Sequence, residues 1–259
     1  MHPDWIVPEW PAPLQVRAVC TTRAGGTSVA PYDALNLGDH VGDRAADVAA
    51  NRAVFSQSIG AQPVFLSQVH GTHTHIISGS TAHGTQADGC FTDQAGVACT
   101  IMVADCLPVL FTNLQGTQVA AAHAGWRSLA GQGGQGVLET VLECFRPLAQ
   151  VDTGYVAINI IAWLGPCIGP GAFEVGDDVR DVFLGHDAAA TGLFKPLPAG
   201  KWLADLPGLA RLRLQALGVT QVYGNDGSRD WCTVSNPSRF FSHRRDRVSG
   251  RQAASIWLG

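Results

Sequence analysis

One cysteine and one histidine have the setting to do chemistry in this 259-residue chain. Cys106 lies just before the apolar run from Leu107 to Phe111, and His123 lies just after the run from Val119 to Ala122. The polar segment between the runs, residues 113 to 116, is typical of a turn. Two short apolar runs joined by a turn predict neighbouring strands of a buried sheet. We therefore expect the thiol and the imidazole to meet at one edge of that sheet.

His70 is the candidate for a third group beside this pair. It ends a strand-like run and precedes Gly71, so the backbone can turn there and aim the ring into a cleft. A thiolate with two imidazoles is a ligand set that zinc accepts with one coordination position left open. Cys106 and His123 could equally act as a nucleophilic thiol and its base. No compact metal motif supports the zinc site, and a core thiol with two ordinary imidazoles is the non-functional alternative, so these interpretations stay open.

Three acids and one amide accompany these residues. Asp88 and Asp105 each follow an alanine near the end of a predicted strand, where a carboxylate can cap a loop or orient the second nitrogen of a histidine ligand. Glu174 ends the rigid loop G-P-C-I-G-P-G-A-F. Any of the three could carry a proton, and the sequence does not choose among them. Gln68, two residues before His70, would share its strand face and could hydrogen-bond the edge of a base.

Arginines supply candidate binding groups for an anion. Arg23 lies in the loop T-T-R-A-G-G-T-S, whose backbone N–H groups could hold an anion, although an ordinary turn with a solvated arginine has the same composition. Arg52 lies within a predicted helix, Arg127 follows H-A-G-W, and Arg244 and Arg245 belong to a tail with five arginines between residues 239 and 251. Guanidinium groups bind phosphate with two parallel hydrogen bonds, so these side chains are candidates for substrate binding.

Apolar periodicity predicts the elements that must position these groups. Strands are expected over residues 14–20, in two runs within 63–77, and over 87–92, 97–105, 155–164, 219–223 and 253–258. Helices are expected over residues 45–59, capped by Asp43 and closed by Gly60, and over 137–148, 177–184 and 201–217. The glycine-rich loop of residues 123–136 contains neither G-x-x-x-x-G-K-[ST] nor G-x-G-x-x-G, which excludes nucleotide binding based on those motifs.

The composition favours one globular domain over residues 1–259. Hydrophobic residues make up 46% of the chain and charged residues 15%, which permits a sizeable buried core. No linker rich in glycine, serine or proline divides the sequence, and it contains no internal repeat.

Charge and cysteine content restrict the partners and the compartment. A net charge of −4 and a pI near 6.1 give no electrostatic footprint for nucleic acid or an anionic membrane, so a small-molecule substrate is favoured. Seven scattered cysteines are not typical of a disulfide framework and predict a reduced, cytoplasmic protein. The N-terminus is not typical of a signal peptide, and no apolar run is long enough to span a bilayer. The oligomeric state stays open.

A series of longer motifs spans nearly the whole chain. They are T-T-R-A-G-G-T-S, N-L-G-D-H-V-G-D, S-Q-V-H-G, A-D-G, A-D-C-L-P-V-L-F, A-A-A-H-A-G-W-R, G-P-C-I-G-P, F-E-V-G and F-F-S-H-R-R-D. In their order and spacing the sequence resembles the YfiH-like proteins, which have been called multicopper polyphenol oxidoreductase or laccase-like proteins, and also purine nucleoside phosphorylases. Ser128 stands where glycine is frequent and Phe173 where tyrosine is frequent, so no role that needs a phenol hydroxyl at 173 is expected.

The resemblance implies a single α/β domain of packed mixed sheets flanked by helices, in α/β/β/α layers. It also implies a zinc ion bound by His70, Cys106 and His123, with copper less favoured. The implied reaction is phosphate-dependent cleavage of adenosine, inosine or methylthioadenosine, with adenosine deamination as a further activity. Phosphorolysis needs an anion held beneath the sugar carbon, which arginines and backbone amides can supply. Deamination needs an activated water, which an open zinc position can supply.

Two other enzymatic functions compete with this one. A metal-free cysteine hydrolase acting on peptidoglycan precursors would use Cys106 as nucleophile, His123 as base and an acid such as Asp88 to orient the base. A copper-dependent polyphenol oxidase is disfavoured, because one mixed site cannot make the several-copper cluster that four-electron oxygen chemistry needs. A non-enzymatic role in a complex stays open, since the sequence carries no information on protein partners.

Overall fold

Two stacked β-sheets organise the computed structural model, which describes residues 1–145 and 159–259. The first sheet has four strands in the order β1 (Val16–Cys20), β13 (Gln252–Leu258), β5 (Val97–Val103) and β2 (Gln62–Phe65). The strand β13 pairs antiparallel with β1 and β5, and β2 pairs parallel with β5. Because parallel and antiparallel pairs coexist, the sheet is mixed.

The second sheet has six strands and contains the predicted hairpin. Its order is β12 (Gln221–Gly224), β8 (Ile160–Leu164), β6 (Leu107–Asn113), β7 (Val119–Ala124), β4 (Gly89–Thr92) and β3 (Thr74–Ile76). Strands β6 and β7 pair antiparallel. Their turn closes where the Gly116 N–H donates to the Asn113 carbonyl at 3.0 Å, which confirms the hairpin.

Six α-helices and a small third sheet complete the described residues. The helices are α1 (Ala45–Ile59), α2 (Trp126–Ala130), α3 (Val137–Cys144), α4 (Asp177–His186), α5 (Leu206–Ala216) and α6 (His243–Asp246). The third sheet is antiparallel, in the order β10 (Phe194–Leu197), β11 (Lys201–Ala204) and β9 (Glu174–Gly176). Over residues 1–145 and 159–259, no helix is long and apolar enough to cross a membrane.

Alternating side chains along the strands build the layers. On β6, Leu107, Val109 and Phe111 pack against helices α2 to α5, whereas Leu110 enters the layer between the two sheets. The outer face of the four-stranded sheet packs on α1, whose Phe55 is fully buried. The predicted α/β/β/α order is therefore confirmed, and so is the mixed α/β fold class. That one domain occupies all of residues 1–259 stays a prediction.

The prediction of a helix over residues 201–217 was wrong about where the helix begins. Residues 201–204 form β11, and α5 begins at Leu206 with Pro207 in its first turn. The Asp205 side chain caps this helix by accepting the Gly208 N–H at 2.9 Å, so the cap overrides the apolar spacing that precedes it. Between α4 and β11, where no element was predicted, the chain forms a 3-10 helix, Ala188–Leu193, and β10.

Other boundaries also differ from the prediction. The N-cap of α1 is Arg44 rather than Asp43, because the Asp43 carboxylate instead accepts hydrogen bonds from Ser28 and Asn36 at 2.7 and 2.9 Å. Gly60 closes the helix in the left-handed conformation, as predicted. The glycine-rich loop is interrupted by α2. The predicted ends of the elements 137–148 and 155–164 fall within residues 146–158, outside the described residues.

The layer between the sheets gives a test of the fold. Replacing fully buried Leu110 by alanine is expected to lower the free energy of unfolding by about 2–5 kcal/mol, because the cavity cannot close in a layer packed from two sides. The control is Leu114→Ala, whose side chain is 40% exposed. Urea unfolding of both variants checks this. Equal midpoints for the two would contradict the packing described.

Candidate metal centre

The hairpin and a sharp turn bring three ligand groups together. Cys106 directly precedes β6, and His123 lies on β7 opposite Pro108. His70 has a φ of 59°, so the chain reverses there in the left-handed region and directs its ring at the hairpin. The ligand atoms of His70, Cys106 and His123 all lie within 4.8 Å of one another. The three side chains predicted to meet therefore do meet.

The spacing of these atoms fits a tetrahedral metal ion. Zinc bonds of about 2.3 Å to sulfur and 2.0–2.1 Å to nitrogen place neighbouring ligand atoms roughly 3.3–3.6 Å apart. The Cys106 Sγ and His70 Nε2 atoms are 3.7 Å apart, and all three ligand atoms lie within 4.8 Å of one another, so metal binding would require the side chains to move closer together. A metal ion held by three protein ligands would keep a fourth coordination position for another ligand, as in catalytic rather than structural zinc sites.

A single buried carboxylate, Asp88, positions two of the three ligands. Its Oδ1 lies 2.8 Å from His123 Nδ1 and accepts the His70 N–H at 3.0 Å. Its Oδ2 accepts the N–H groups of Val69 and Gly71 at 3.2 and 2.7 Å. An ionised Asp88 can only accept, so His123 Nδ1 donates and Nε2 is left for a metal. Asp88 therefore holds the second ring nitrogen of His123 and caps the turn at His70, and its role in orienting a metal ligand stays a prediction.

Charges reinforce one another within the cluster. Burial opposes ionisation of the Asp88 carboxyl, but its hydrogen bond to His123 and the N–H groups of the turn hold its pKa below the usual range. Burial also opposes ionisation of the Cys106 thiol, yet the charge and hydrogen bond of His123, with a hydrogen bond from His70, lower its pKa to about 6. Despite burial, Cys106 and Asp88 raise the pKa of His123 to about 9. The site thus holds a thiolate beside an imidazolium when no metal ion neutralises it.

A cavity of about 430 Å³ opens beside the three ligands. One part of its lining is cationic, and another is apolar. The cationic residues are Arg127, Arg244, Arg247 and Arg251, the histidines His40 and His243 lie beside them, and the apolar residues include Met102, Val103, Trp126, Ile168, Phe173 and Leu206. Such a volume with a few converging polar groups is typical of a small-molecule site.

Two predicted arginines combine with aromatic rings at this cavity. The Arg127 guanidinium lies 4.3 Å from the centre of the Trp126 ring, and that of Arg244 lies 5.6 Å from the Phe173 ring. Phe173 carries no hydroxyl, so the position provides an apolar surface only. Arg244 also donates to the Glu174 carbonyl at 3.1 Å, which directs the guanidinium along the β9 edge of the cavity.

Asp105 lines the cavity in a strained backbone conformation. Its φ is 97°, which is rare for a residue with a side chain. The carboxylate accepts the Thr233 hydroxyl and the Arg244 N–H, each at 2.6 Å. Both bonds reach segments more than a hundred residues away, so Asp105 fastens the Cys106 turn to the C-terminal part of the chain. Capping a loop and orienting a histidine nitrogen were the two functions predicted for Asp88 and Asp105. The contacts of Asp105 are those of a loop cap.

Several predicted binding residues lie outside the cavity or are already engaged. Arg23 donates to the carbonyls of Asp33 and Pro237 at 2.7 and 2.8 Å, and Arg245 forms an ion pair with Asp246 at 2.6 Å. Arg52 pairs with Asp39 at 3.2 Å.

Glu174 and Gln68 also differ from the role expected of them. The Glu174 side chain is exposed on β9, outside the cavity lining. Gln68 does line the cavity, but its amide exchanges two hydrogen bonds of 2.8 Å with the Met102 backbone. That pairing extends the end of β5, so this amide is not free to contact a base.

Two arginines of the cavity, Arg247 and Arg251, and two histidines, His40 and His243, were missed from the sequence. His40 lies in the N-L-G-D-H-V-G-D motif, and Arg247 and Arg251 belong to the arginine-rich tail. The density of arginine in the tail was a usable signal. It could not show which arginines face the cavity, because contacts with distant segments decide that.

Comparison with known proteins identifies the family of this chain. The family model described as multi-copper polyphenol oxidoreductase laccase matches residues 17–259. The chain belongs to this laccase-like family. A protein of Escherichia coli strain K12 named purine nucleoside phosphorylase YfiH is 46% identical over 255 residues, 98% of each chain. A purine nucleoside phosphorylase of Pseudomonas aeruginosa is 45% identical over the same length and coverage.

Solved structures of the laccase-like family share the fold. A protein of Neisseria meningitidis has a TM-score of 0.88 at 43% identity and covers 98% of this chain and 99% of its own. YlmD of Geobacillus stearothermophilus has a TM-score of 0.81 at 30% identity, covering 95% and 92%. The resemblance inferred from the motifs is therefore confirmed at the level of family and fold.

The Asp88 carboxylate gives a test of the metal centre. Asp88→Asn is expected to weaken metal binding by about 10–100-fold, because His123 loses its orienting acceptor and the His70 turn loses bonds. Competition with a zinc-binding dye measures the affinity, with exposed Asp93→Asn as the control. Unchanged affinity in Asp88→Asn would show that the carboxylate does not orient the ligands.

Thiol labelling tests the electrostatics of the metal-stripped protein. The iodoacetamide reaction of Cys106 should be fast at pH 7 and should slow as pH falls through about 6, because its thiolate is then protonated. Cys144, whose pKa is raised by burial, is the internal control and should react slowly at pH 7. Peptide mass spectrometry distinguishes the two sites. A Cys106 labelling midpoint near 8.5, the value of an ordinary thiol, would contradict the charge pairing.

Proposed function

We propose that this protein is a zinc-dependent purine nucleoside phosphorylase. The observation that carries the proposal is one cavity that joins the His70, Cys106 and His123 set to a cationic lining. The names of the E. coli and P. aeruginosa relatives support the same reaction class. We propose adenosine, inosine and methylthioadenosine as substrates, with adenosine deamination as a further activity. A cytoplasmic location goes with this proposal.

Aromatic side chains would bind the purine of the nucleoside, and cationic side chains would bind phosphate. The Trp126 and Phe173 rings offer flat apolar surfaces for a purine. The arginines offer charge-assisted donors for phosphate. In the reaction, a phosphate oxygen attacks C1′ of the ribose while the bond from C1′ to the purine nitrogen breaks. The bonding electron pair leaves with the purine, which must then gain a proton.

Asp105 is our choice among the three predicted proton carriers. It lines the cavity, whereas Glu174 lies outside the lining and Asp88 is engaged by His123. The Thr233 hydroxyl and Arg244 N–H hold the Asp105 carboxylate at 2.6 Å each, so its position relative to Cys106 is fixed. A fixed carboxylate can take a proton from the attacking dihydrogen phosphate or from a water and pass it to the departing base.

The donor atoms favour zinc over copper. One thiolate and two imidazoles match a zinc site with an open position, and zinc held there would act as a Lewis acid and lower the pKa of water. Over the described residues this is the one group of three or more His, Cys, Asp or Glu side chains that could hold a metal ion. A single mixed site does not supply the copper cluster that oxygen reduction needs.

A specific observation supports a cysteine hydrolase as the second candidate. Asp88, His123 and Cys106 form a connected series in which the acid holds the imidazole at 2.8 Å and the pKa of the thiol falls to about 6. That is the arrangement of a nucleophile, its base and an orienting acid. Peptidoglycan precursors are the substrate class we assign to this alternative.

A product assay tests the phosphorylase. Protein purified without chelators should contain zinc and convert inosine with phosphate into hypoxanthine and ribose 1-phosphate. Cys106→Ser and His123→Ala should each lose roughly 10²–10³-fold or more in kcat, the loss typical when a group acting on the transition state is removed. Cys144→Ser, a thiol-to-hydroxyl change in α3 away from the cavity, is the matched control.

The same assay separates the two candidates. Absence of zinc, or absence of both products with His123→Ala indistinguishable from the parent, would rule out the phosphorylase. Hydrolytic activity that survives metal removal, with a covalent adduct on Cys106 from a substrate-like electrophile, would favour the hydrolase.

A further inference from the structure

Among the arginines that line the cavity, Arg251 is fixed by hydrogen bonds and packing at both its backbone and its side chain. It directly precedes β13 and lines the cavity, and its neighbours there include the anionic groups of Cys106 and Asp105. Burial lowers the pKa of its guanidinium, while these two anions act in the opposite direction. Partial burial of a guanidinium costs free energy, which nearby anions or a bound partner can offset.

The N-L-G-D-H motif forms the platform under Arg251. Asn36 is fully buried, and its Oδ1 accepts the N–H groups of Gly38 and Arg251, both at 2.9 Å. Leu37 donates its N–H to the Arg251 carbonyl at 3.1 Å. These bonds bind two segments that lie 215 residues apart in the chain. The motif therefore fixes the backbone from which the Arg251 side chain leaves.

Gly38 shapes the path of the side chain. A Cβ atom at position 38 would lie 2.8 Å from Arg251 Cγ and 3.2 Å from its Cβ, so the arginine stem passes over the bare glycine backbone. Arg251 Nη1 then donates to the carbonyls of Ser249 and Gly250 at 2.9 and 3.0 Å. The guanidinium is thus fixed at both its stem and one of its nitrogens.

Two donor atoms of this fixed group remain free. Within residues 1–145 and 159–259, Arg251 Nε and Nη2 have no hydrogen-bond partner, and neither is among the buried unpaired atoms. Nε and Nη2 lie on one edge of a guanidinium, which is the edge that takes two oxygens of one oxyanion. By contrast, Arg244 spends a donor on Glu174, and Arg23 and Arg245 are tied to backbone carbonyls.

We propose that Arg251, held by Gly38 and Asn36, is the anchor for the phosphate that this cavity takes. The ligand class is a tetrahedral oxyanion, bound through the Nε and Nη2 edge beside the open side of the metal ligands. Arg247, which lines the same cavity, adds positive charge. The assignment of inorganic phosphate as a co-substrate rests on the proposed phosphorylase activity, whereas the anion site itself does not.

Titration with inorganic phosphate at constant ionic strength tests the site in the zinc-loaded protein without any turnover. Arg251→Gln should weaken phosphate binding by about tenfold or more, the effect of losing a charge-assisted pair of bonds. Arg251→Lys keeps the charge but not the two-donor edge, and should bind phosphate weakly as well. Arg180→Gln, on α4 and outside the cavity lining, is the control and should bind like the parent.

The Gly38→Ala variant tests whether the position of the Arg251 guanidinium matters independently of its charge. It removes no charged group, yet its Cβ must displace the Arg251 stem, so phosphate binding should fall while zinc content and inosine binding persist. Melting temperatures and metal content of each variant show whether the fold and ligands are intact. Parent-like phosphate binding in Arg251→Gln would overturn the proposal. So would zinc loss that accounts for the whole effect, because Arg251 would then only support Cys106.

The outcomes distinguish this site from the proposed reaction. If parent protein binds phosphate through Arg251 but forms no ribose 1-phosphate, the anion site stands and the phosphorylase falls. If phosphorolysis proceeds and Arg251→Gln keeps the parental KM for phosphate, the reaction stands and the anchor falls. AMP is titrated in parallel as a phosphate ester. Arg251-dependent binding of AMP but not of inorganic phosphate would assign the site to an esterified phosphate.

Discussion

The candidate metal centre depends on one buried carboxylate. Asp88 satisfies three N–H groups of the turn at His70 and the ring of His123, so a single side chain connects two ligands from separate parts of the chain. The cost of burying the charge is met because every nearby donor is directed at it. A positive φ at His70 is tolerated for the same reason, since the turn is overdetermined by these bonds.

The arginines predicted from the sequence or found at the cavity fall into two physical classes. Arg23 and Arg245 use their donors on backbone carbonyls and act as ties between segments, whereas Arg127 and Arg251 keep donors available at the cavity. What separates them is which hydrogen bonds the guanidinium has already made, because a donor engaged by a carbonyl cannot also bind substrate well.

The sequence predicted local features well and long-range ones poorly. Cys106 and His123 could be placed together because a turn and two apolar runs define a hairpin within one short segment. The start of α5 was misplaced, since the capping of Asp205 outweighed an apolar pattern that continues through a strand. Arg23 was misassigned because its partner carbonyl at Pro237 is 214 residues away, and Arg251 was missed because Asn36 is equally distant. Such contacts leave no periodic signal.

The three candidate ligands come from different parts of the two-sheet sandwich, so ion binding is coupled to the packing of one sheet on the other. His70 follows β2 of the four-stranded sheet, whereas His123 belongs to β7 of the six-stranded sheet, and Cys106 lies where the chain crosses between them. An ion held by all three bridges the two layers and is released when they separate. Mass action then makes resistance to unfolding rise with the free ion concentration. The supply of a metal ion that binds there would thereby contribute to the free energy of unfolding of the whole chain.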